Sequence, residues 1–145
     1  MQESESNNQL DHFISKCRQY NLRITPQRIA IYKQLLESEN HPTADNLFQS
    51  IRNEFPNISF DTVNRTLLTF SKIGIIHTVE SHSGARRFDP NLKEHHHLHC
   101  IKCGKITDFF NERYNQLEIP KEIQKQYTIV RKRMVLNTIC RNCNN

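Results

Sequence analysis

The densest group of metal-binding side chains in the sequence lies between residues 95 and 108, which read HHHLHCIKCGKITD. Within it, Cys100 and Cys103 form a Cys-x2-Cys motif, and Cys140 and Cys143 form a second one far downstream. Two such turns offer four thiolates to a tetrahedral zinc ion, and four thiolates leave no open position for catalysis. We therefore predict a structural zinc site that ties the last strand back to this segment, with a redox dithiol as the alternative.

The histidines of this segment require a different arrangement, because side chains alternate between the two faces of a strand. His95, His97 and His99 would share one face, and two imidazoles two residues apart can bind one ion together. Asp89 shortly before the strand, and Asp108 on the predicted return strand, add carboxylate oxygens. A mixed nitrogen and oxygen site favours Fe(II) or Mn(II) over soft metals. The alternative is a histidine-rich exposed strand without a metal.

Composition and charge narrow the class of protein. The 145 residues carry a net charge of +5 and a pI near 9.1, which favours polyanionic partners or simply indicates solvated basic faces. No apolar run reaches the roughly 18 residues of a membrane span, and MQESESNN is not a secretory signal. We therefore expect a cytoplasmic protein without a membrane partner. In that reducing compartment, paired cysteines indicate zinc rather than disulfides.

The first half has the pattern of a helical domain. Residues 1 to about 8 are expected to be a disordered tip, followed by a helix with Cys17 on its buried face. The next helix starts are predicted where a hydroxyl precedes an apolar period, at Thr25, Thr43 and Ser59. The last of these helices should end near Gly74 and expose Asn64, Arg65, Thr66 and Thr69, as suits the recognition helix of a helix-turn-helix.

Strand patterns follow Gly74. The segments IIHTVE and ARRFD flank Ser81–Gly84 and predict a β-hairpin, which directly after a recognition helix would be a wing. Its Arg86 and Arg87 could contact phosphates or could form a solvated hairpin end. Further on, strands are predicted at HHHLHC and KITDFF, then a helix interrupted or restarted near Pro120, and a last β-branched strand over residues 127–140.

Several motifs, in order and spacing, resemble the ferric uptake regulator family. They are LRITPQR at Leu22–Arg28, HPTAD at His41–Asp45, the Thr62-Val63 helix, Arg87–Asp89, His95-x-His97-x2-Cys100-x2-Cys103-Gly-Lys, and the closing Cys-x2-Cys. The resemblance covers nearly the whole chain and implies an α+β fold. It divides the chain into a winged helix-turn-helix DNA-binding domain at residues 1–84, a hinge at 85–94, and an αβ dimerisation and zinc-binding domain at 95–145.

The resemblance also implies roles for individual side chains. The four cysteines match the family's structural zinc ligands. The regulatory site of its peroxide-stress branch matches His41, Asp89, His95, His97 and Asp108. In that branch, bound Fe(II) reacts with hydrogen peroxide and ligand histidines are oxidised, here His41 and His95, whereas Mn(II) gives an insensitive DNA-binding form. One ion would hold the two domains in one orientation, so losing a ligand would release DNA.

Two positions depart from the family's pattern. Asn64 stands where the family usually has tyrosine after Thr62-Val63, and Arg65 follows it. Because asparagine can pair with adenine and arginine with guanine, a different base preference is expected. Near the last strand, Arg131 and Lys132 stand where several members carry histidines of an additional metal site, and that site is not expected here.

The sequence therefore predicts a homodimeric, metal-dependent repressor that binds a palindromic operator in double-stranded DNA and senses hydrogen peroxide. The alternative within this class is an iron- or manganese-responsive regulator in which metal occupancy is the signal. A metalloenzyme is disfavoured, because no further acid, base or nucleophile cluster accompanies the His/Asp ligands. A zinc-stapled protein-interaction module would show no salt-sensitive, palindrome-specific DNA binding.

Overall fold

A computed structural model describes residues 2–79 and 84–144 of the protein. The chain divides into two compact units, Met1–Leu92 and Lys93–Asn145. The predicted turn of the wing falls mainly on residues 81–83, which lie outside the described residues. Gly84, at the end of that turn, has a φ of 79°, in the left-handed region that glycine adopts without strain.

Four helices build most of the first unit. They are α1 (Gln2–Gln19), α2 (Pro26–Glu37), α3 (Ala44–Ile51) and α4 (Phe60–Lys72). The three predicted N-caps are confirmed, because each hydroxyl oxygen accepts the backbone N–H three residues onward, at Thr25, Thr43 and Ser59. Asn46 returns a hydrogen bond to the backbone N–H of Thr43, which completes a capping box. These caps fix where α2, α3 and α4 begin.

The first helix is longer than predicted. We expected a disordered tip up to about residue 8, but α1 begins at Gln2 and includes that segment. Glu3 and Glu5 lie in its first turn and Lys16 and Arg18 in its last, so charges of the stabilising sign face both ends of the helix dipole. The predicted position of Cys17 is confirmed, since its side chain is fully buried. Burial raises the pKa of its thiol.

The large hydrophobic core lies in the first unit. Phe13 of α1 stacks on Tyr32 of α2, with ring centroids 4.6 Å apart, and meets Phe70 of α4 edge-on at 5.3 Å. Strands β1 (His77–Val79) and β2 (Arg87–Asp89) pair antiparallel, as the wing hairpin requires. Phe88 of β2 is fully buried and packs into the same core. The wing is therefore anchored to the helices.

A three-stranded sheet and two short helices form the second unit. Its elements are β3 (His96–Cys100), β4 (Ile106–Phe109), α5 (Glu112–Asn115), α6 (Lys121–Gln126), β5 (Val135–Thr138) and a 3-10 turn at Arg141–Cys143. The strand order is β4-β3-β5, with β4 antiparallel and β5 parallel to β3. The helix restart predicted near Pro120 is confirmed, because α6 begins directly after it.

The last strand is shorter than predicted. We expected a strand over residues 127–140, but β5 spans only Val135–Thr138. Its partner residues on β3 run from His97 to Cys100, so the pairing extends no further. Residues 127–130 have strand-favouring side chains but no such ladder, and β propensity acts through packing against neighbouring strands.

The second unit has a small apolar interior. Among its described residues, the buried hydrophobic side chains are Cys100 and Ile106, and the other buried side chains are His95, His96, His97 and His99. A unit with so little buried apolar surface needs another source of stability, such as a metal. In the described part of the chain, no helix has the length and apolar character needed to cross a membrane.

Candidate metal centres and nucleic-acid interface

The four cysteines of the two Cys-x2-Cys motifs meet at one end of the second unit. Their Sγ atoms all lie within 4.8 Å of one another, and those of Cys103 and Cys140 are 3.8 Å apart. A tetrahedral zinc ion with bonds of about 2.3 Å would space its sulfur ligands by about 3.8 Å. A disulfide needs about 2.05 Å, and all four thiols are free. The donor set therefore fits a structural zinc ion.

Strand register explains why these cysteines meet. Cys100 is opposite Thr138 in the parallel pair, so Cys140 follows just beyond the end of β5. The backbone N–H of Cys140 donates to Cys100 Sγ at 3.4 Å. Backbone N–H groups of Cys103 and Cys140 lower the pKa of Cys100 to about 6, whereas hydrogen bonds with the thiols of Cys140 and Cys103 raise the pKa of Cys143 to about 12. One thiolate is thus favoured before metal binding, and zinc would displace the remaining protons.

A cluster of two imidazoles and one carboxylate lies on the opposite part of the same sheet. His97 and Asp108 are directly paired across β3 and β4. The Nε2 atoms of His95 and His97 are 3.1 Å apart, and Asp108 Oδ1 lies 3.2 Å from His97 Nε2 and 3.8 Å from His95 Nε2. Two ligands at about 2.1 Å from one ion and at right angles would be about 3 Å apart. The spacing of these nitrogens fits a shared metal ion.

Hydrogen bonding fixes the orientation of His95. Its Nδ1 lies 2.6 Å from the carbonyl oxygen of Lys93. Because a carbonyl oxygen only accepts, Nδ1 carries the proton and Nε2 presents its lone pair toward His97. Metal-binding histidines commonly use their second nitrogen in this way, which fixes both tautomer and ring angle. No sequence pattern indicated this role of the Lys93 backbone.

The first unit contains a second pair of candidate ligands. His41 Nδ1 lies 3.8 Å from Asp89 Oδ2, and both side chains are buried. Asp89 Oδ1 accepts the backbone N–H of Asn91 at 2.9 Å, which orients the carboxylate. The segment carrying His41 is fastened to β2, because the Phe88 N–H donates to the Pro42 carbonyl at 3.0 Å. A histidine from a loop and an aspartate from the wing are thereby held together.

Arg87 and His96 have structural roles that the sequence left open. The guanidinium of Arg87, a half-buried residue, donates to the carbonyl oxygen of His41 at 2.9 Å. This hydrogen bond helps to hold the backbone of His41 next to β2, which carries Asp89. His96 is buried on the other face of β3 and lies 2.6 Å from Asn115 Oδ1, while its Nδ1 accepts the backbone N–H of Met134. Both nitrogens of His96 are therefore used within the fold.

The candidate DNA-binding side chains lie on α4 and on the wing. Thr62 and Arg65 are exposed on α4, Asn64 is half-buried, and Arg86 is exposed just before β2. The predicted exposure of Thr66 is wrong, because its side chain is buried, and Thr69 is half-buried. Thr62 Oγ1 is 2.9 Å from Ser59 Oγ, which ties it to the helix cap. Arg87 differs from Arg86, because one of its terminal nitrogens donates to the His41 carbonyl. Its contact with phosphate stays a prediction.

Comparison with known proteins places the chain in a family. The model of the Ferric uptake regulator family matches residues 19–137. The peroxide-responsive repressor PerR of Staphylococcus aureus (strain Mu50) is 37% identical over 135 residues, covering 93% of this chain and 91% of that protein. The Helicobacter pylori ferric uptake regulator Fur, described as having three functional metal-binding sites, is 25% identical with a TM-score of 0.76, over 96% of this chain and 93% of its own.

A peroxide regulator is also among the similar structures. The Campylobacter jejuni peroxide stress regulator is 26% identical with a TM-score of 0.68, over 90% of this chain and 98% of its own. These similarities confirm the predicted α+β fold with an N-terminal DNA-binding and a C-terminal dimerisation domain. The chain belongs to the ferric uptake regulator family, whose members are transcriptional regulators and not enzymes.

Proposed function

We propose that this metal-responsive repressor releases DNA when hydrogen peroxide oxidises histidine ligands of a bound Fe(II) ion. The observation that carries the proposal is the buried pair of imidazole nitrogens 3.1 Å apart beside the Asp108 carboxylate. Its nitrogen and oxygen donors suit Fe(II) and Mn(II), and the separate four-cysteine cluster suits zinc. Similarity to a peroxide-responsive repressor over most of the chain supports the same reading.

We propose that His41, Asp89, His95, His97 and Asp108 are the ligands of the regulatory ion. A bound ion would favour the conformation that binds DNA, and losing a ligand would remove that preference. Metal loading and DNA affinity are then coupled.

The peroxide response would act on the rings of His41 and His95. When bound, Fe(II) supplies one-electron reduction of hydrogen peroxide, and the net reaction adds one oxygen to an imidazole and releases one water. The hydrogen bond from His95 Nδ1 to the Lys93 carbonyl keeps this ring facing the ligand position. An oxidised ring is a poorer ligand, so ligation weakens and DNA is released. Mn(II) would support DNA binding without this response.

We further propose that a homodimer binds a palindromic operator through α4 and the wing. Two-fold symmetry presents two recognition helices to two half-sites, so the operator mirrors the symmetry of the protein. The second unit exposes large apolar side chains that a partner subunit would cover, namely Tyr127, Ile129, Val130, Val135, Leu136 and Ile139.

Fluorescence anisotropy on a labelled duplex tests this function. The duplex is the sequence that the Mn(II)-loaded protein enriches most from a library with a random central segment. We expect the Fe(II) and Mn(II) forms to bind it without oxygen, and the protein stripped of regulatory metal to bind it far more weakly. A brief hydrogen peroxide pulse should release only the Fe(II) form. The His95→Ala variant is the control for loss of a ligand.

Two other outcomes have clear meanings. If both loaded forms keep the duplex after peroxide, peroxide sensing is wrong and metal occupancy is the signal. If no sequence is enriched under any metal, the repressor reading itself is wrong and a protein-interaction module becomes the better account.

A further inference from the structure

An ion pair lies on the exposed face of α4. Arg65 Nε is 2.9 Å from Asp61 Oδ2, one helical turn earlier, and the two side chains are 78% and 67% exposed. An exposed pair of this kind contributes little to stability. It does limit the directions in which a long arginine side chain can extend.

The atoms used in this contact leave the rest of the guanidinium available. The contact with Asp61 is made through Nε, and Arg65 forms no ion pair with another carboxylate among the described residues. Arginine reads guanine with two parallel N–H donors, and a guanidinium held in one plane loses less entropy on making that contact. An arginine without such a brace extends as readily toward a phosphate.

The hydroxyl groups of two nearby threonines of α4 are already hydrogen-bonded within the helix and are not expected to contact a base. The Thr66 hydroxyl donates to the Thr62 carbonyl at 2.7 Å, and the Thr69 hydroxyl donates to the Arg65 carbonyl at 2.9 Å. Both hydroxyls are thus satisfied within the helix. Arg65 is the long cationic side chain that this part of α4 presents to solvent.

We infer that Asp61 is a positioning residue for operator specificity, which holds Arg65 for guanine and repels phosphates that approach the same face. This inference rests on the proposed function, because it takes α4 as the recognition helix. The carboxylate lowers affinity for any duplex, since it opposes the negative backbone. The Asp61 carboxylate lowers affinity less for a duplex in which Arg65, held by Asp61, can bind a guanine. The carboxylate therefore raises the ratio of specific to non-specific affinity.

The test compares binding of the selected duplex with binding of a scrambled duplex of the same composition. Full-length, zinc- and Mn(II)-loaded protein is used, and the measured quantity is the ratio of the two dissociation constants. Asp61→Asn should lower this ratio by about tenfold, mainly by tightening binding to the scrambled duplex, because the carboxylate no longer repels its phosphates. A change of this size lies within the discrimination that one bidentate base contact provides. Asp61→Glu keeps the charge and should retain most of the ratio.

Asp45 provides the matched control. It is exposed and occupies the second position of α3, as Asp61 does in α4, so Asp45→Asn makes the same charge change at an equivalent helix position. This variant should change the ratio by less than about twofold. In an Arg65→Gln background, Asp61→Asn should have almost no further effect, because the two residues act as one unit.

Three results would overturn the inference. Equal losses in Asp61→Asn and Asp45→Asn would indicate a general charge effect, with the proposed function intact. A loss from Asp61→Asn that persists in the Arg65→Gln background would mean that Asp61 contacts a base itself. If the wild-type protein enriches no sequence, the proposed function fails and this inference fails with it.

Discussion

Replacing Cys143 by serine should unfold the second unit while leaving the first unit folded. The substitution removes one of four thiolates whose Sγ atoms lie within 4.8 Å of one another, so a closed tetrahedral zinc site is lost. The second unit depends on this site because its described residues bury only Cys100 and Ile106 as hydrophobic side chains. The first unit keeps its own aromatic core.

The size of the effect follows from the length of the loop that the zinc ion closes. Cys103 and Cys140 are 37 positions apart, and a cross-link over such a loop reduces the entropy of the unfolded chain by about 4 kcal/mol at 25 °C. Folded domains typically have about 0.05 to 0.15 kcal/mol of stability per residue, or about 3 to 8 kcal/mol for a unit of this length. Losing the cross-link therefore removes about half or more of the stability of residues 93–145.

Hydrogen exchange measured by mass spectrometry would follow this loss. The Ile101 N–H, which donates to the Thr138 carbonyl, and the other amides that join β3 to β5 should lose protection in Cys143→Ser, whereas α2 and α4 should keep theirs. Zinc content should fall from one ion per chain to near zero. Cys17→Ala is the control, since Cys17 is buried in the first unit and should leave zinc bound. Full protection of the second unit without zinc would refute the reasoning.

Three further predictions concern the cap, the alkaline limit and the regulatory ligands. Thr43→Ala should lower the unfolding free energy of the first unit by about 1 kcal/mol in a chemical denaturation curve, because α3 loses its capping box. Thr69→Ala, which removes a hydroxyl bonded within α4, should cost less than half of that. Burial raises the pKa of Tyr32 to about 12 from an ordinary value of 10. The folded state therefore holds that proton more tightly, and the free energy of unfolding should fall as pH rises from 10 to 12. The Tyr32→Phe variant should show a weaker dependence on pH. The same pH dependence of the melting temperature in Tyr32→Phe and the wild type would contradict this prediction. Asp108→Asn should weaken Mn(II) binding by about tenfold or more in a calorimetric titration while zinc stays bound, because Asp108 Oδ1 lies 3.2 Å from His97 Nε2. Equal Mn(II) affinity in the variant and the wild type would mean that Asp108 is not a ligand.

Interactions within a single helix or strand could be predicted from the sequence. The hydroxyl caps at Thr25, Thr43 and Ser59 act on backbone groups three residues away, so their effect is visible in a short window. The alternation of strand side chains placed His95 and His97 on one face, and the structure brings their Nε2 atoms to 3.1 Å. Features of this kind depend on spacing along a single element.

Contacts between residues far apart in the sequence could not be predicted in this way. Arg87 contacts the carbonyl of His41 from 46 positions away, and no local pattern distinguishes it from the exposed Arg86. His96 joins the interior because Asn115 and Met134 supply partners for its two nitrogens. The pairing of Asp61 with Arg65 is different, since their spacing along a helix already predicts an ion pair.

Peptide mass spectrometry after a brief hydrogen peroxide pulse tests the central claim most directly. The zinc-loaded protein is compared with Fe(II) or with Mn(II) as the second metal, under otherwise identical conditions. We predict one added oxygen on the peptides that contain His41 or His95, in the iron form only, with the peptide containing His12 unmodified as an internal control. Unmodified His41 and His95 in the iron form would contradict peroxide sensing by histidine oxidation.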